Sequence, residues 1–315
     1  MLRRLSLHFA VLILFSRLPF AQANPNPAAT LPPDSTNKAA IFPVGNAPWG
    51  TAFDGTNIWV SNFADSTVSK LRARDGKHLG TYQTGLGPTA MAFDGANIWV
   101  ANSGSNSTTK IRVTDGLIVG TYSVGSTPDG ITFDGKNIWV ANGFGNSITK
   151  LRASDGRVLG TFPTDEEPSC VAFDGANVWV NNFVSATVTK LRARDGANMG
   201  EFPVGAGAEA IAFDGFNMWI TNSDSSSVTK LRAADGLSLG TFPVGQTPSG
   251  IVFDGESMWV TNYGNDNIMK LRLSDGAILG TFPTGEEPLV PAFDGENIWV
   301  PNSDDNSVSR IHSWK

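Results

Sequence analysis

The sequence contains one cysteine, Cys170, and three histidines among its 315 residues. A single thiol cannot form an internal disulfide, so the fold must be stabilised by burial and strand pairing. The longest apolar run, near the N-terminus, has about a dozen residues and falls short of the roughly 20 that a membrane-spanning helix needs. These shortages exclude a disulfide-stapled domain and predict a protein without a membrane span.

Basic residues are also in short supply. The 23 Lys and Arg residues face 29 Asp and Glu residues, and removal of residues 1–23 would take away three arginines and no acid. Nucleic-acid binding depends on clustered Lys and Arg that neutralise phosphates. We therefore expect no nucleic-acid partner, and we expect the protein to be a monomer.

The N-terminal residues 1–23 read MLRRLSLHFAVLILFSRLPFAQA. A basic start, a short apolar run and a small-x-small ending are typical of a cleavable secretory signal. Residues 24–40 are rich in Pro, Asn and Ala and predict a flexible leader. We expect a secreted or periplasmic protein in which residues 41–315 form one repeat domain.

One phrase dominates the rest of the chain. FDGTNIWVSN at residues 53–62 returns in slightly altered form every forty residues, without insertion or deletion. Seven tryptophans mark the period: Trp59, Trp99, Trp139, Trp179, Trp219, Trp259 and Trp299. A fixed period of this length indicates stacked copies of one supersecondary unit.

Each copy contains four strand-like runs, for instance TAFD, NIWVSN, TVSKLRA and LGTYQT, separated by short turns. Four antiparallel strands per forty residues predict a propeller blade. Prolines recur inside the fourth run, and because Pro is tolerated at a sheet edge, this run is the outermost strand. The chain ends after a third strand, so the N-terminal IFPVG should complete the last blade. The fold class predicted is an all-β, seven-bladed β-propeller.

Four columns of recurring residues receive structural interpretations. The Trp residues and the Phe residues that begin each phrase should fill the spaces between blades. Asn62 and its six equivalents either bond nearby backbone in turns or form a polar ring that binds a ligand. The Lys-Leu-Arg column, such as Lys70 to Arg72, is expected to be solvated or paired with Asp on an outer strand.

The phrases NIWVANS and LGTFPVG at a forty-residue period resemble the propeller repeats of the YVTN or NHL type, particularly those of streptogramin lyase-like (virginiamycin B lyase-like) proteins. The resemblance covers residues 41–315. It implies the propeller fold, whereas such repeats serve enzymes, ligand binders and interaction platforms alike.

One face of the predicted ring varies between copies. It is formed by the links from fourth to first strand and from second to third strand, whereas the opposite face carries nearly constant Asp-Gly turns. The variable links carry acids at Asp65, Asp129, Asp165, Glu166, Glu167, Glu209, Glu286 and Glu287. Aromatic residues beside carboxylates favour a small polar or cationic ligand, a glycan, or a peptide or protein. The candidate binding residues are Trp49, Phe63, Asp129, Phe144, Phe183, Glu209 and Tyr263. The alternative is that the sequences of these loops have diverged without acquiring a binding role.

Catalytic residues are harder to assign. The resemblance implies a histidine base with magnesium and an acidic partner, but His78 is predicted in a turn of the constant face and His312 in the terminal third strand, so neither matches. Cys170 is expected to be a small buried residue. Asp129 and Glu209 allow an alternative, a metal-dependent lyase or lactonase with Ca²⁺ or Mg²⁺. The sequence therefore favours a binding or interaction module and establishes no cofactor.

Overall fold

The computed structural model describes residues 39–313, which form 28 β-strands. The predicted signal peptide and most of the predicted leader lie outside the described residues. Blades 1 to 3 comprise β2 (Pro48–Phe53), β3 (Asn57–Asn62), β4 (Thr67–Arg72), β5 (His78–Gln83), β6 (Pro88–Phe93), β7 (Asn97–Asn102), β8 (Ser107–Arg112), β9 (Ile118–Ser123), β10 (Pro128–Phe133), β11 (Asn137–Asn142), β12 (Ser147–Arg152) and β13 (Val158–Pro163).

Blades 4 to 6 repeat this pattern. They comprise β14 (Pro168–Phe173), β15 (Asn177–Asn182), β16 (Thr187–Arg192), β17 (Asn198–Pro203), β18 (Ala208–Phe213), β19 (Asn217–Asn222), β20 (Ser227–Arg232), β21 (Ser238–Pro243), β22 (Pro248–Phe253), β23 (Ser257–Asn262), β24 (Asn267–Arg272) and β25 (Ile278–Pro283). Blade 7 contains β26 (Ala292–Phe293), β27 (Asn297–Asn302), β28 (Ser307–His312) and the N-terminal strand β1 (Ala40–Pro43). The predicted seven-bladed propeller is confirmed.

Strand order explains where the prolines lie. Within blades 1 to 6 the strands are neighbours in chain order, so the fourth strand is an edge. In blade 7 the edge position belongs to β1, which pairs antiparallel with β28 from Ala40 opposite Arg310 to Pro43 opposite Ser307. The strand begins one residue inside the predicted leader because Ala40 already takes part in this pairing.

Two faces follow from the antiparallel order. The constant face consists of the first-to-second and third-to-fourth turns, such as residues 54–56 and 73–77. The variable face consists of the fourth-to-first and second-to-third links, such as residues 44–47 and 63–66. Four of the second-to-third links contain a 3-10 turn, at Ser103–Ser105, Gly143–Gly145, Ser223–Ser225 and Tyr263–Asn265. Among the described residues no helix has the length and apolar character of a membrane span.

The repeated phrase builds a local hydrogen-bond network. Gly55 adopts a φ of 91°, which turns the chain after β2. The Asp54 carboxylate then accepts the N–H groups of Thr56 and Asn57 at 2.9 and 2.6 Å and the indole N–H of Trp59 at 2.8 Å. The same indole bond recurs in all seven blades. The turn and the buried tryptophan are therefore one unit, which explains why the phrase repeats as a whole.

The core lies between the blades. All seven repeat tryptophans have no exposed surface, and each of seven apolar clusters joins neighbouring blades. The Phe residues that open each phrase are half-buried against these clusters, as in Phe53 and Phe93. Inter-blade packing of both aromatic columns is confirmed.

The lysine column corrects one prediction. Lys70 is only 8% exposed, and its ammonium donates to the carbonyl of Val113 in the next blade at 2.6 Å while lying 4.9 Å from the Trp59 ring centroid. The equivalents Lys110, Lys150, Lys190 and Lys230 do the same. The expectation that these lysines are solvated was wrong, because both faces of a blade are covered by its neighbours. The expectation of pairing with Asp holds for Lys110 and Lys270, which lie 3.9 and 3.7 Å from the carboxylates of Asp94 and Asp254. For Arg72 it was right, since Arg72 pairs with Asp75 at 2.6 Å.

The junction of blades 7 and 1 differs from the other six. The inner strand β26 has two residues because Pro291 offers no N–H to a ladder. In its place the backbone of blade 7 bonds that of blade 1: the N–H of Val290 donates to Trp49, and that of Thr51 donates to Val290, both at 3.2 Å. The two ends of the ring are therefore joined at the channel as well as at the outer edge.

Candidate functional site

Charge is segregated between the two faces. Twelve acidic residues lie in the variable-face links or at the adjoining ends of the first strands: Asp65, Asp129, Asp165, Glu166, Glu167, Glu209, Asp224, Asp266, Glu286, Glu287, Asp304 and Asp305. All eighteen described Lys and Arg residues lie in third strands or constant-face turns. Within residues 39–313 the variable face therefore carries acids without a cation.

Apolar side chains on this face come chiefly from blades 1 to 4. Trp49 and Phe63 are both half-buried, and their ring centroids lie 5.6 Å apart. Phe144 stands in the 3-10 turn of blade 3 with 66% of its surface exposed. Phe183 follows β15, is half-buried and donates its backbone N–H to Glu167 at 2.9 Å. Of the predicted aromatics, the structure brings Trp49 and Phe63 into contact.

Two further apolar residues extend this region. Leu86, in the link that enters blade 2, is 62% exposed, and Val184, beside Phe183, is 55% exposed. Neither was a candidate in the sequence, because isolated aliphatic residues in loops carry no pattern. Their exposure matters here because aliphatic side chains left in water beside aromatic rings favour an apolar ligand surface.

Tyr263 belongs to an acidic group at blades 6 and 7. Burial, followed by its hydrogen bond to Glu287 and the neighbouring carboxylates, raises the pKa of Tyr263 far above its usual range, so the phenol stays protonated and donates. Burial and the charges of Asp304 and Asp266 raise the pKa of Glu287 despite that bond. Repulsion from Asp305, Asp304 and Asp266 also raises the pKa of the exposed Glu286. These five carboxylates therefore lie close together and create a strongly negative electrostatic potential.

Asp129 and Glu209 lie on opposite sides of Cys170. Cys170, expected to be buried, is half-buried. Desolvation, together with the charges of these two acids, raises the pKa of its thiol to about 11, so the thiol is protonated at physiological pH. Asp129 is itself only 7% exposed, whereas Glu209 is half-buried. Within residues 39–313 no group of three or more His, Cys, Asp or Glu side chains is arranged to hold a metal ion.

The asparagine column has a structural role. Asn62 is fully buried, accepts the N–H of Gly45 at 3.1 Å, and donates to the hydroxyls of Thr67 and Ser69 at 2.9 and 3.0 Å. Its equivalents Asn142, Asn222 and Asn302 make the corresponding bonds. These amides fasten the variable-face links to the third strands and do not present a ring to a ligand.

Both described histidines lie at the constant-face ends of their strands. His78, predicted in a turn, is the first residue of β5 and lies 3.1 Å from the Thr81 hydroxyl. His312 is the last residue of β28, with its Nδ1 3.9 Å from a carboxylate oxygen of Glu296. The described part of the chain therefore places no imidazole on the variable face.

Comparison with known proteins supports the fold. No family model matches the chain, and no curated protein matches it closely enough to be called a relative. Three solved structures superpose with TM-scores of 0.75 to 0.76: hydrazine synthase of Kuenenia stuttgartiensis (19% identity, 85% of this chain and 96% of that one), virginiamycin B lyase of Staphylococcus aureus (20%, 88% and 99%) and a streptogramin B lyase (18%, 88% and 98%). The likeness to streptogramin lyase-like propellers is confirmed as a likeness of fold.

Proposed function

We propose that this protein is an exported binding module whose variable face captures a cationic ligand with apolar groups, such as a peptide that contains lysine or arginine and leucine. The observation that carries the proposal is the segregation of charge: twelve acids and exposed apolar side chains share a face on which no described cation lies. The signal-like residues 1–23 support export, which the expected secreted or periplasmic location requires.

Physical chemistry favours such a ligand. A surface of one sign attracts the opposite charge over several ångströms and raises the rate of association, with a steep dependence on salt. The aromatic residues add a second attraction, because a cation beside a ring face gains about 0.5–2 kcal/mol. Exposed Phe144 and Leu86 supply apolar area that an inorganic cation would leave unused.

A labelled synthetic peptide of alternating lysine and leucine tests the proposal by fluorescence anisotropy at low and high salt. The variant Glu286→Gln/Glu287→Gln removes two variable-face charges, and Glu256→Gln/Glu296→Gln removes two from constant-face turns as a matched control. Loss of two rim contacts should weaken binding roughly fivefold, while the control should bind like the unmodified protein. Equal affinities of the two variants, or binding that salt does not weaken, would contradict the proposal.

A metal-dependent lyase or lactonase is the second candidate, favoured by the fold likeness to the two lyases. Because neither His78 nor His312 lies on the variable face, the acidic residues Asp129 and Glu209, near the starts of the first strands β10 and β18, are the candidates for its catalytic base. Turnover of a streptogramin B antibiotic with and without Mg²⁺ tests it. Turnover that Asp129→Asn and Glu209→Gln abolish would establish the lyase in preference to the binding module.

A further inference from the structure

A cavity lies on the constant face, between blades 3 and 4. Its volume is about 640 Å³, enough for a small organic ligand. The floor is apolar: Leu159 is 45% exposed, Phe173 is half-buried, and Ala176 and Ala193 add small side chains. An exposed leucine beside a half-covered phenylalanine leaves an apolar surface that the fold itself does not fill.

The walls of this cavity are cationic. Lys136, Lys150, Arg152 and Arg194 line it, with Asp134 as its single acid. Lys150 is 6% exposed, and its ammonium donates to the carbonyls of Ala193 and Arg194 at 2.6 and 3.3 Å. Arg152 is occupied by Asp155, and Arg194 lies 3.3 Å from Asp195.

Lys136 differs from the other three cations. It belongs to the Asp-Gly turn and is exposed, and within residues 39–313 its ammonium makes no hydrogen bond or ion pair. Burial lowers the pKa of Lys150, the carboxylates of Asp134 and Asp195 oppose this shift, and the nearby charge of Lys136 adds a smaller lowering. Two like charges facing one cavity repel each other, and an anion between them would relieve that repulsion.

Comparison of the seven repeats shows that this cavity is unusual. The position of Lys136 is held by Thr56, Ala96, Ala176, Phe216, Glu256 and Glu296 in the other blades. The position of Arg194 is also an arginine in blade 1, Arg74, and is held by Thr114, Ser154, Ala234 and Ser274 in blades 2, 3, 5 and 6. Lys136 and Arg194 therefore line the same cavity at the blade 3–4 junction, whereas blades 6 and 7 carry a glutamate at the position of Lys136.

We propose that this cavity binds an organic anion with an apolar body, such as a medium-chain or aromatic carboxylate. The carboxylate lies between Lys136 and Arg194, which donate charge-assisted hydrogen bonds to it. The hydrocarbon part covers Leu159 and Phe173. This site is independent of the variable face, since the two lie at opposite ends of the blades and attract ligands of opposite charge.

Isothermal titration with octanoate tests the proposal, with 1-octanol as the uncharged probe of the same chain length. The unmodified protein should bind octanoate with one saturable site and 1-octanol at least tenfold more weakly. Lys136→Glu, which copies the residue of blades 6 and 7, should weaken octanoate binding at least tenfold. Arg157→Glu makes the same change of charge at an exposed residue of blade 3 outside the cavity and should bind as the unmodified protein does.

Arg194→Met provides a second test, which removes a charge without reversing it, and it should also weaken octanoate binding. Unchanged thermal unfolding in all variants would show that the effects arise at the site. Absence of saturable octanoate binding, equal affinities for octanoate and 1-octanol, or equal losses in Lys136→Glu and Arg157→Glu would overturn the proposal.

Discussion

Asp214 anchors the Asp-Gly turn of blade 5 to its buried tryptophan. The carboxylate is 7% exposed and accepts hydrogen bonds from the backbone N–H groups of Phe216 and Asn217 at 2.8 and 2.6 Å. Its second oxygen accepts the indole N–H of Trp219 at 2.8 Å, and Trp219 has no exposed surface. Replacement of Asp214 by Ala leaves at least two of these donors buried without a partner.

Each buried N–H that loses its partner costs about 1–3 kcal/mol, so Asp214→Ala should lower the free energy of unfolding by about 2–5 kcal/mol. In a domain of this size that corresponds to a fall in Tm of roughly 5–15 °C. Near-UV circular dichroism, which follows the buried tryptophans, and urea denaturation both measure it. Asp214→Asn keeps one acceptor oxygen, and its Tm should lie between those of the unmodified protein and Asp214→Ala.

Asp235 in the same blade provides the control. It pairs with Arg232 in a constant-face turn where both side chains are about half exposed, and such pairs contribute little to stability. Asp235→Ala should therefore leave the Tm nearly unchanged. An equal effect of Asp214→Ala and Asp235→Ala would refute the view that the indole bond, rather than turn chemistry in general, holds each blade together.

Two predictions concern pH. Burial raises the pKa of Asp134, Asp174 and Asp214, but hydrogen bonds from the neighbouring Trp and Asn side chains outweigh it, so the pKa of each is lowered. The stability that these carboxylates contribute is therefore present above the unfolded pKa of about 3.9 and is lost as pH falls through their lower folded values. Urea denaturation between pH 6 and pH 2 should show this loss, and Asp174→Asn should flatten it. Burial and nearby acids raise the pKa of Glu287, so Glu287→Gln should raise the Tm at pH 7 and leave it unchanged at pH 3; a Tm raised equally at both pH values would contradict the role of charge.

The architecture could be predicted from the sequence because the forty-residue period is regular and the residues that mark turns and sheet edges recur in every repeat or nearly so. Glycine in the Asp-Gly turns fixes the strand ends, and Pro163 or Pro243 at the end of a fourth run identifies the edge. The same regularity concealed the role of Lys70. A strand whose two faces are both covered shows no alternation of apolar and polar residues, so a charge that bonds a carbonyl in the next blade resembles a solvated one.

The site was predicted only in part, because loops have no period. The acids of the fourth-to-first links were found from differences between the repeats, whereas Asp224, Asp266, Asp304 and Asp305 in the second-to-third links were missed. Tracing every charged residue to a strand end would have found them and would have revealed that no Lys or Arg of residues 39–313 lies on that face. The cavity beside Lys136 depends on two blades that contribute residues 58 positions apart, Lys136 and Arg194, and no local pattern indicates such a pair.

The pairing of β1 with β28 has a consequence for synthesis. Ala40 leaves the ribosome 270 residues before Arg310, yet the two lie opposite each other in one sheet. Until the final strands emerge, β1 has no partner and the growing stack of blades exposes a blade surface at each end. The protein therefore cannot close blade by blade during translation, and a chain interrupted before Ser307 remains open at the same place where a finished one is sealed.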